Sequence, residues 1–130
     1  MPKYDTLKDS GERSSWNTGS VRDLRTGKGR FDLVTPIAMD RLAHHYENGV
    51  VKYGIRNWEK GIPLHCYVDS AMRHMNTWLL DRILGREHEE DHLSAIIWNI
   101  MCVVHTEEMI AAGKLPKELD DMPGEEGEYG

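Results

Sequence analysis

The chain lacks most of what marks a secreted, membrane-spanning or disulfide-built protein. It has 2 cysteines in 130 residues, too few for a disulfide scaffold. Cys66 and Cys102 both fall in apolar helical patterns and are expected as small core residues. They also lack the close-spaced pairs of a structural zinc site. No run of about 18 apolar residues occurs, which argues against a spanning helix and against a membrane partner. Residues 1–6 lack the apolar stretch of a secretory signal, so the expected compartment is the cytoplasm. Positive charge is in the minority, 16 Lys and Arg against 22 Asp and Glu, for a net −6. Stable nucleic-acid binding is therefore not expected, although a local basic patch would still hold one small anion. No internal repeat and no convincing strand pattern is present.

What is there suits one helical domain. The hydrophobic fraction is 39% and the charged fraction 29%, and 130 residues make one modest core. Residues 1–26 read as a polar arm, 27–116 as the helical domain, and 117–130 as an acidic tail without fixed structure. Three helices are expected. The first runs from Pro36 to about Asn48, with Thr35 as cap, Gly49 as stop, and Ala38, Leu42 and Tyr46 as its apolar stripe. The second runs from Leu64 to Leu84, with Leu64, Val68, Ala71, Met75, Trp78 and Leu79 on the helical period and Gly85 as its stop. The third runs from about His88 to Ala112, ended by Gly113 and Pro116. Its centre is apolar around more of its circumference than two neighbours cover. That predicts a bundle completed by another copy of the chain.

Carboxylates projecting from facing helices are how bundles bind divalent cations. Asp40, Glu47, Asp69, Glu87, Glu89, Glu90 and Asp91 are the acidic candidates, against the ordinary reading of solvated charge. Lys28, Arg30, Lys52, Arg56 and Arg73 suit phosphate oxygens. Asp69 and Arg73, one turn apart, also suit each other. The segment from Val50 to Pro63 reads as a loop, and its Lys52, Arg56, Asn57 and Trp58 make it a candidate ligand loop. Trp58 is expected as an anchor, and Tyr53 is open between anchor and stacking partner. Asn99 interrupts an apolar run and needs a hydrogen-bond partner if buried. It shares a face with His92, and the pair is open between ligand contact and structural bonding. His44, His45 and His65 are expected on exposed surface. The string from His88 to His92 matches His-Glu-x-x-His by letters. A zinc peptidase is disfavoured in so small a chain, because the string sits at a helix start.

The order of motifs carries a resemblance. It runs Gly27-Lys-Gly-Arg-Phe-Asp-Leu33, Arg41-Leu-Ala, Tyr46-Glu47, Lys52-Tyr-Gly-Ile-Arg-Asn-Trp-Glu-Lys-Gly-Ile-Pro63, Asp69-Ser-Ala-Met-Arg-His74, Glu90-Asp-His-Leu-Ser-Ala95 and Trp98-Asn99. Over about residues 19–108 this resembles the phage dATP/dGTP diphosphohydrolase domain, including MazZ-type enzymes. The resemblance implies an all-α, MazG-like helical bundle that cleaves a nucleoside triphosphate between its α and β phosphates. It implies a dGTP or dATP substrate, a homodimer or homotetramer, and two or three Mg²⁺ or Mn²⁺ ions per site. It also implies a role in nucleotide metabolism of phages that replace adenine with 2-aminoadenine, in the host cytoplasm. The usual MazG signature, Glu-Glu-x-x-Glu followed by Glu-x-x-Asp, is absent in that form. The expected metal ligands are therefore Glu47, Asp69, Glu90 and Asp91. Glu47 and Glu90 are expected to orient water, with Lys52 and Arg73 as further catalytic groups. Lys28, Arg30, Arg56, Asn57, His92 and Asn99 are expected to bind substrate. A non-catalytic nucleotide sensor, or a hydrolase of another nucleotide such as dUTP or an alarmone, is the alternative.

Overall fold

The computed structural model describes residues 7–124. The chain divides into two units, Met1–Thr35 and Pro36–Gly130. Residues 1–6 of the expected arm and 125–130 of the expected tail lie outside the described residues.

The first unit holds a small hairpin, contrary to the expectation of no strand. β1 (Arg13–Ser15) pairs antiparallel with β2 (Val21–Asp23), Arg13 opposite Asp23. The turn closes with the Gly19 amide donating to the Trp16 carbonyl at 2.9 Å. Asp23 ties the unit together, accepting from the Ser10 hydroxyl and from Lys28 Nζ at 3.0 Å. These bonds hold its carboxyl well below the usual range. Strands of three residues with polar side chains carry no alternation, so periodicity does not reveal them.

The second unit is helical, and among the described residues the protein is all-α apart from that hairpin. α1 spans Pro36–Tyr53, α2 Leu64–Leu84 and α3 His92–Ala111. α3 is the central helix, packed on both α1 and α2. α2 has the expected bounds, and Gly85 closes it in the left-handed conformation at φ 66°. α1 does not stop at Gly49 but continues to Gly54, which turns the chain at φ 88°. A helix interior tolerates one glycine at a cost of about 1 kcal/mol. α3 starts at His92 rather than His88, because Asp91 caps it by accepting from the Ser94 amide at 3.1 Å.

The buried seam of α3 is His92, Ala95, Asn99, Cys102 and Thr106, spaced three and four apart along one stripe. It is small or polar, and its polar members are bonded. Asn99 donates to the Ala95 carbonyl at 2.8 Å and to Ser70 Oγ at 3.3 Å. Thr106 donates to the Cys102 carbonyl at 2.7 Å. On α2 the buried residues are Leu64, Tyr67, Ala71 and Asp81, with Met75 and Leu79 exposed. The stripe is thus rotated from the expected one, since the α3-facing side includes polar Asp81. Leu64, Tyr67 and Cys102 form the core, flanked by Trp58, Ile62, Trp98, Val103 and Met122. Cys102 is fully buried, as expected, whereas Cys66 is exposed.

Large apolar side chains point outward on all three helices. They include Ile37, Met39 and Val51 on α1, Met72, Leu79 and Ile83 on α2, and Ile97, Ile100, Met101 and Val104 on α3. α3 is long and apolar enough, by length and composition, to cross a membrane. Its seam of bonded polar residues against α2 marks it as the centre of a helical unit. After α3 the chain turns at Gly113 and forms a short 3-10 helix, Lys117–Leu119. The acidic segment therefore starts as fixed structure. Asp121 accepts from the His65 amide at 3.0 Å, and Met122 packs on the core.

Candidate functional site

A cavity of about 690 Å³ opens where the end of α1, the following loop, the start of α2 and the middle of α3 meet. That is the size range of small-molecule sites. α1 supplies one wall through Tyr46, Gly49, Val50 and Tyr53, residues three and four apart on one face. A Cβ built at Gly49 would meet nothing within 4 Å. Trp58, Tyr67 and Trp98 supply the aromatic floor. Tyr46 meets both Trp58 and Trp98 edge-on, with ring centroids 6.2 and 6.3 Å apart. Trp58 is pinned edge-on to His105 at 4.8 Å and packs on the core, so the expected anchor also lines the cavity.

Three polar side chains enter this apolar lining: Glu47, Arg56 and Asn57. Among the described residues, Arg56 is the one non-glycine residue at positive φ, 58°. Strain of this kind costs of order 1–3 kcal/mol and concentrates at functional sites. A close ion pair with Glu59 holds its guanidinium. Lys52 lies just outside the lining, its ammonium 5.1 Å from the Tyr53 ring centroid.

A second constellation lies where α2 faces the start of α3. His74 Nδ1 and His92 Nδ1 are 2.9 Å apart, and Glu90 Oε1 is 3.6 Å from His74 Nδ1. Behind them Asp81, 6% exposed, receives His88 Nδ1 at 3.0 Å and Arg86 Nε at 3.2 Å. Those partners keep the Asp81 carboxyl below its ordinary range, the His88 bond most of all. Burial lowers the His74 pKa, favouring the neutral imidazole. His45 links the two places, its ring 5.8 Å from Trp98 and within the field of Asp91 and Glu90.

The residues expected from sequence divide sharply. Glu47, Arg56 and Asn57 come together at the cavity. Asp91 does not join them. Its carboxylate takes a two-pronged grip from Arg41, at 2.9 and 2.6 Å, and accepts from the Ser94 amide and hydroxyl. The Arg41 bonds, then those of Ser94, hold its carboxyl far below the usual range. Asp69 and Arg73 pair with each other at 3.0 Å, both 66% exposed. Lys28 and Arg30 belong to the first unit, paired there with Asp23 and Asp32. His92 and Asn99 are buried in the α2–α3 seam rather than lining the cavity. Among the described residues, the groups of three or more metal-capable side chains are His74–Glu90–His92 and Asp81–His88–His92. The carboxylate set Glu47, Asp69, Glu90 and Asp91 therefore does not gather into one oxygen cage.

A family model described as dATP/dGTP diphosphohydrolase, N-terminal, matches residues 18–114. The chain belongs to this family. No curated protein and no solved structure matches it significantly. The family description makes the chain a diphosphohydrolase of the dATP/dGTP class. Both the cavity lining and the histidine constellation fall inside the matched span.

The structure brings to these two places several residues that the sequence does not assign to a site. Tyr67 is not singled out by the sequence, Trp98 enters only through the Trp98-Asn99 motif, and Cys66 is expected as core rather than cavity wall. His45 read as surface but is partly buried against Trp98. His65 is exposed, as expected, and is paired with Asp121. His74, Asp81 and His88 offered one signal, polar residues on or beside the apolar period of α2. That signal becomes interpretable only once α2 and α3 are aligned.

Proposed function

We propose that the chain hydrolyses dGTP or dATP between the α and β phosphates, releasing the deoxynucleoside monophosphate and pyrophosphate. The observation that carries this reading is the cavity. It joins an aromatic floor to a single lining carboxylate and a strained arginine, within the family-matched span.

The residue types suit the task. Aromatic faces take a purine by stacking, worth about 1–3 kcal/mol per base. Arg56 and Asn57, at the mouth of α2, supply donors for phosphate oxygens, with Lys52 beside them. Glu47 orients a water and accepts its proton as the water attacks the α phosphorus. A divalent cation, Mg²⁺ or Mn²⁺ on the sequence expectation, would neutralise the triphosphate. The expected carboxylates Glu47, Asp69, Glu90 and Asp91 do not converge to hold it. The catalytic reading is preferred to a sensor because a carboxylate, Glu47, stands among the lining residues with Arg56 and Asn57. A phosphate-binding module has no use for negative charge there.

The outward apolar faces of α2 and α3 support a homodimer or homotetramer, since monomers rarely expose contiguous apolar patches above a few hundred Å². The proposed cellular role, dGMP supply in a phage that replaces adenine with 2-aminoadenine, rests on the motif resemblance alone.

Product analysis tests the proposal. Incubation with each dNTP and Mg²⁺ or Mn²⁺ is expected to yield monophosphate and pyrophosphate, fastest with dGTP or dATP. Release of orthophosphate or tripolyphosphate, or no turnover with binding retained, contradicts it. Light scattering on the same preparation is expected to give a multiple of the 15.0 kDa chain mass. A monomer contradicts the assembly.

A further inference from the structure

We propose that His74, His92 and Glu90 bind one divalent first-row transition ion, in preference to Mg²⁺. This deepens the hydrolase reading by naming where a cation would sit, and it stands on different residues from the cavity.

The geometry fits a shared ion. Two donors each about 2.1 Å from one metal lie about 3.0 Å apart at a right angle and about 3.4 Å apart at the tetrahedral angle. His74 Nδ1 and His92 Nδ1 are 2.9 Å apart, and His74 Nδ1 and Glu90 Oε1 3.6 Å. All three ligand atoms lie within 4.8 Å of one another. The set is half sunk, with His92 7% exposed, the His74 side chain 20% and Glu90 58%. The two imidazoles form a fixed base, and the carboxylate closes from the solvent side. Three protein ligands leave positions open for water or for a phosphate oxygen.

The backing of His92 supports the same assignment. Its Nδ1 faces His74, while its Nε2 faces Asp81 Oδ2 at 3.8 Å. At that distance Asp81 is an electrostatic neighbour of the His92 ring rather than a hydrogen-bond partner, and its negative charge favours a cation held on the far side of the ring. Asp81 is itself set by His88 and Arg86. The alternative group, Asp81–His88–His92, is the poorer host because Arg86 already places positive charge on Asp81. Imidazole donors favour Fe²⁺, Co²⁺, Ni²⁺ and Zn²⁺, whereas Mg²⁺ prefers oxygen.

The test uses the full chain, stripped with chelator, without nucleotide. Titration with Co²⁺ is expected to develop a visible ligand-field band that saturates at one ion per chain. Mg²⁺ in hundredfold excess is expected to leave that band in place. His74→Gln and Glu90→Gln are each expected to weaken Co²⁺ binding at least tenfold. Glu90 is exposed enough for its variant to fold, with circular dichroism as the check. Absence of the band, displacement by equimolar Mg²⁺, or unchanged affinity in folded Glu90→Gln overturns the proposal. The readout is binding, so its failure leaves the hydrolase reading intact. Absent hydrolysis likewise leaves this site standing.

Discussion

Glu47→Gln is expected to lower kcat for dGTP about a hundredfold or more, with KM and the thermal midpoint close to wild type. Glu47 is exposed on α1 and is the one carboxylate among the residues lining the cavity. Removing its charge takes nothing from the core, while a positioned base typically contributes 10²–10⁴-fold. Arg56→Ala is expected to act differently. It removes a phosphate partner from ground and transition states alike, so KM rises and kcat/KM falls by roughly tenfold or more. Asp69→Asn is the control. Asp69 is spent on Arg73 at the surface, so its variant is expected to stay within about twofold of wild type, as surface changes usually do. Steady-state kinetics on the three variants decides the matter. Equal losses in Asp69→Asn and Glu47→Gln would restore the carboxylate set expected from sequence and displace the cavity.

Asp91→Ala is expected to cost about 2 kcal/mol of stability. Two losses combine. Removing an N-cap carboxylate costs about 1 kcal/mol, within a range of 0.5–2. The Arg41 pair is about half exposed on the arginine side, which discounts it to about 1 kcal/mol or less. α3 is the central helix, so the loss falls on its first turn and on the α1–α3 contact together. Thermal unfolding should show a midpoint lower by several degrees. Asp91→Asn, which keeps a capping oxygen but not the charge, is expected to fall between the two. An unchanged midpoint in Asp91→Ala, with activity abolished, would return Asp91 to the role of ligand.

The helices were legible because their signals are local. α2 is bounded by Pro63 and Gly85 and carries a clear apolar period, and it was expected at its true bounds. The end of α1 was not legible. Gly49 looks like a stop in the sequence, but the helix runs through it to Tyr53. Among the sequence candidates, Glu47 stands out as a helix carboxylate and Arg56 and Asn57 by their place in a glycine-bounded loop, and all three line the cavity. Asp91 caps α3 in the structure, and a carboxylate ahead of a helix is a cap and a ligand candidate by the same letters. The histidine constellation was hidden for another reason. His74, Asp81, His88 and His92 are spread over 19 positions and meet only when α2 and α3 align. A hydrophobic pattern does not distinguish a buried polar residue from an exposed one. The hairpin of the first unit was missed because three-residue strands hold by turn and charge rather than by alternation.

The central claim is that the aromatic cavity is where the purine nucleotide binds. The chain has 4 tryptophans, and they form a built-in control. Trp58 and Trp98 line the cavity, whereas Trp16 precedes the hairpin turn and Trp78 stacks on His88 beside the histidine constellation. Indole N–H resonances recorded during titration with a non-hydrolysable dGTP analogue report all four at once. Saturable shifts are expected at Trp58 and Trp98, with Trp78, in the same unit, unmoved. Shifts confined to Trp78, or binding that leaves Trp58 and Trp98 in place, would put the nucleotide elsewhere and contradict it.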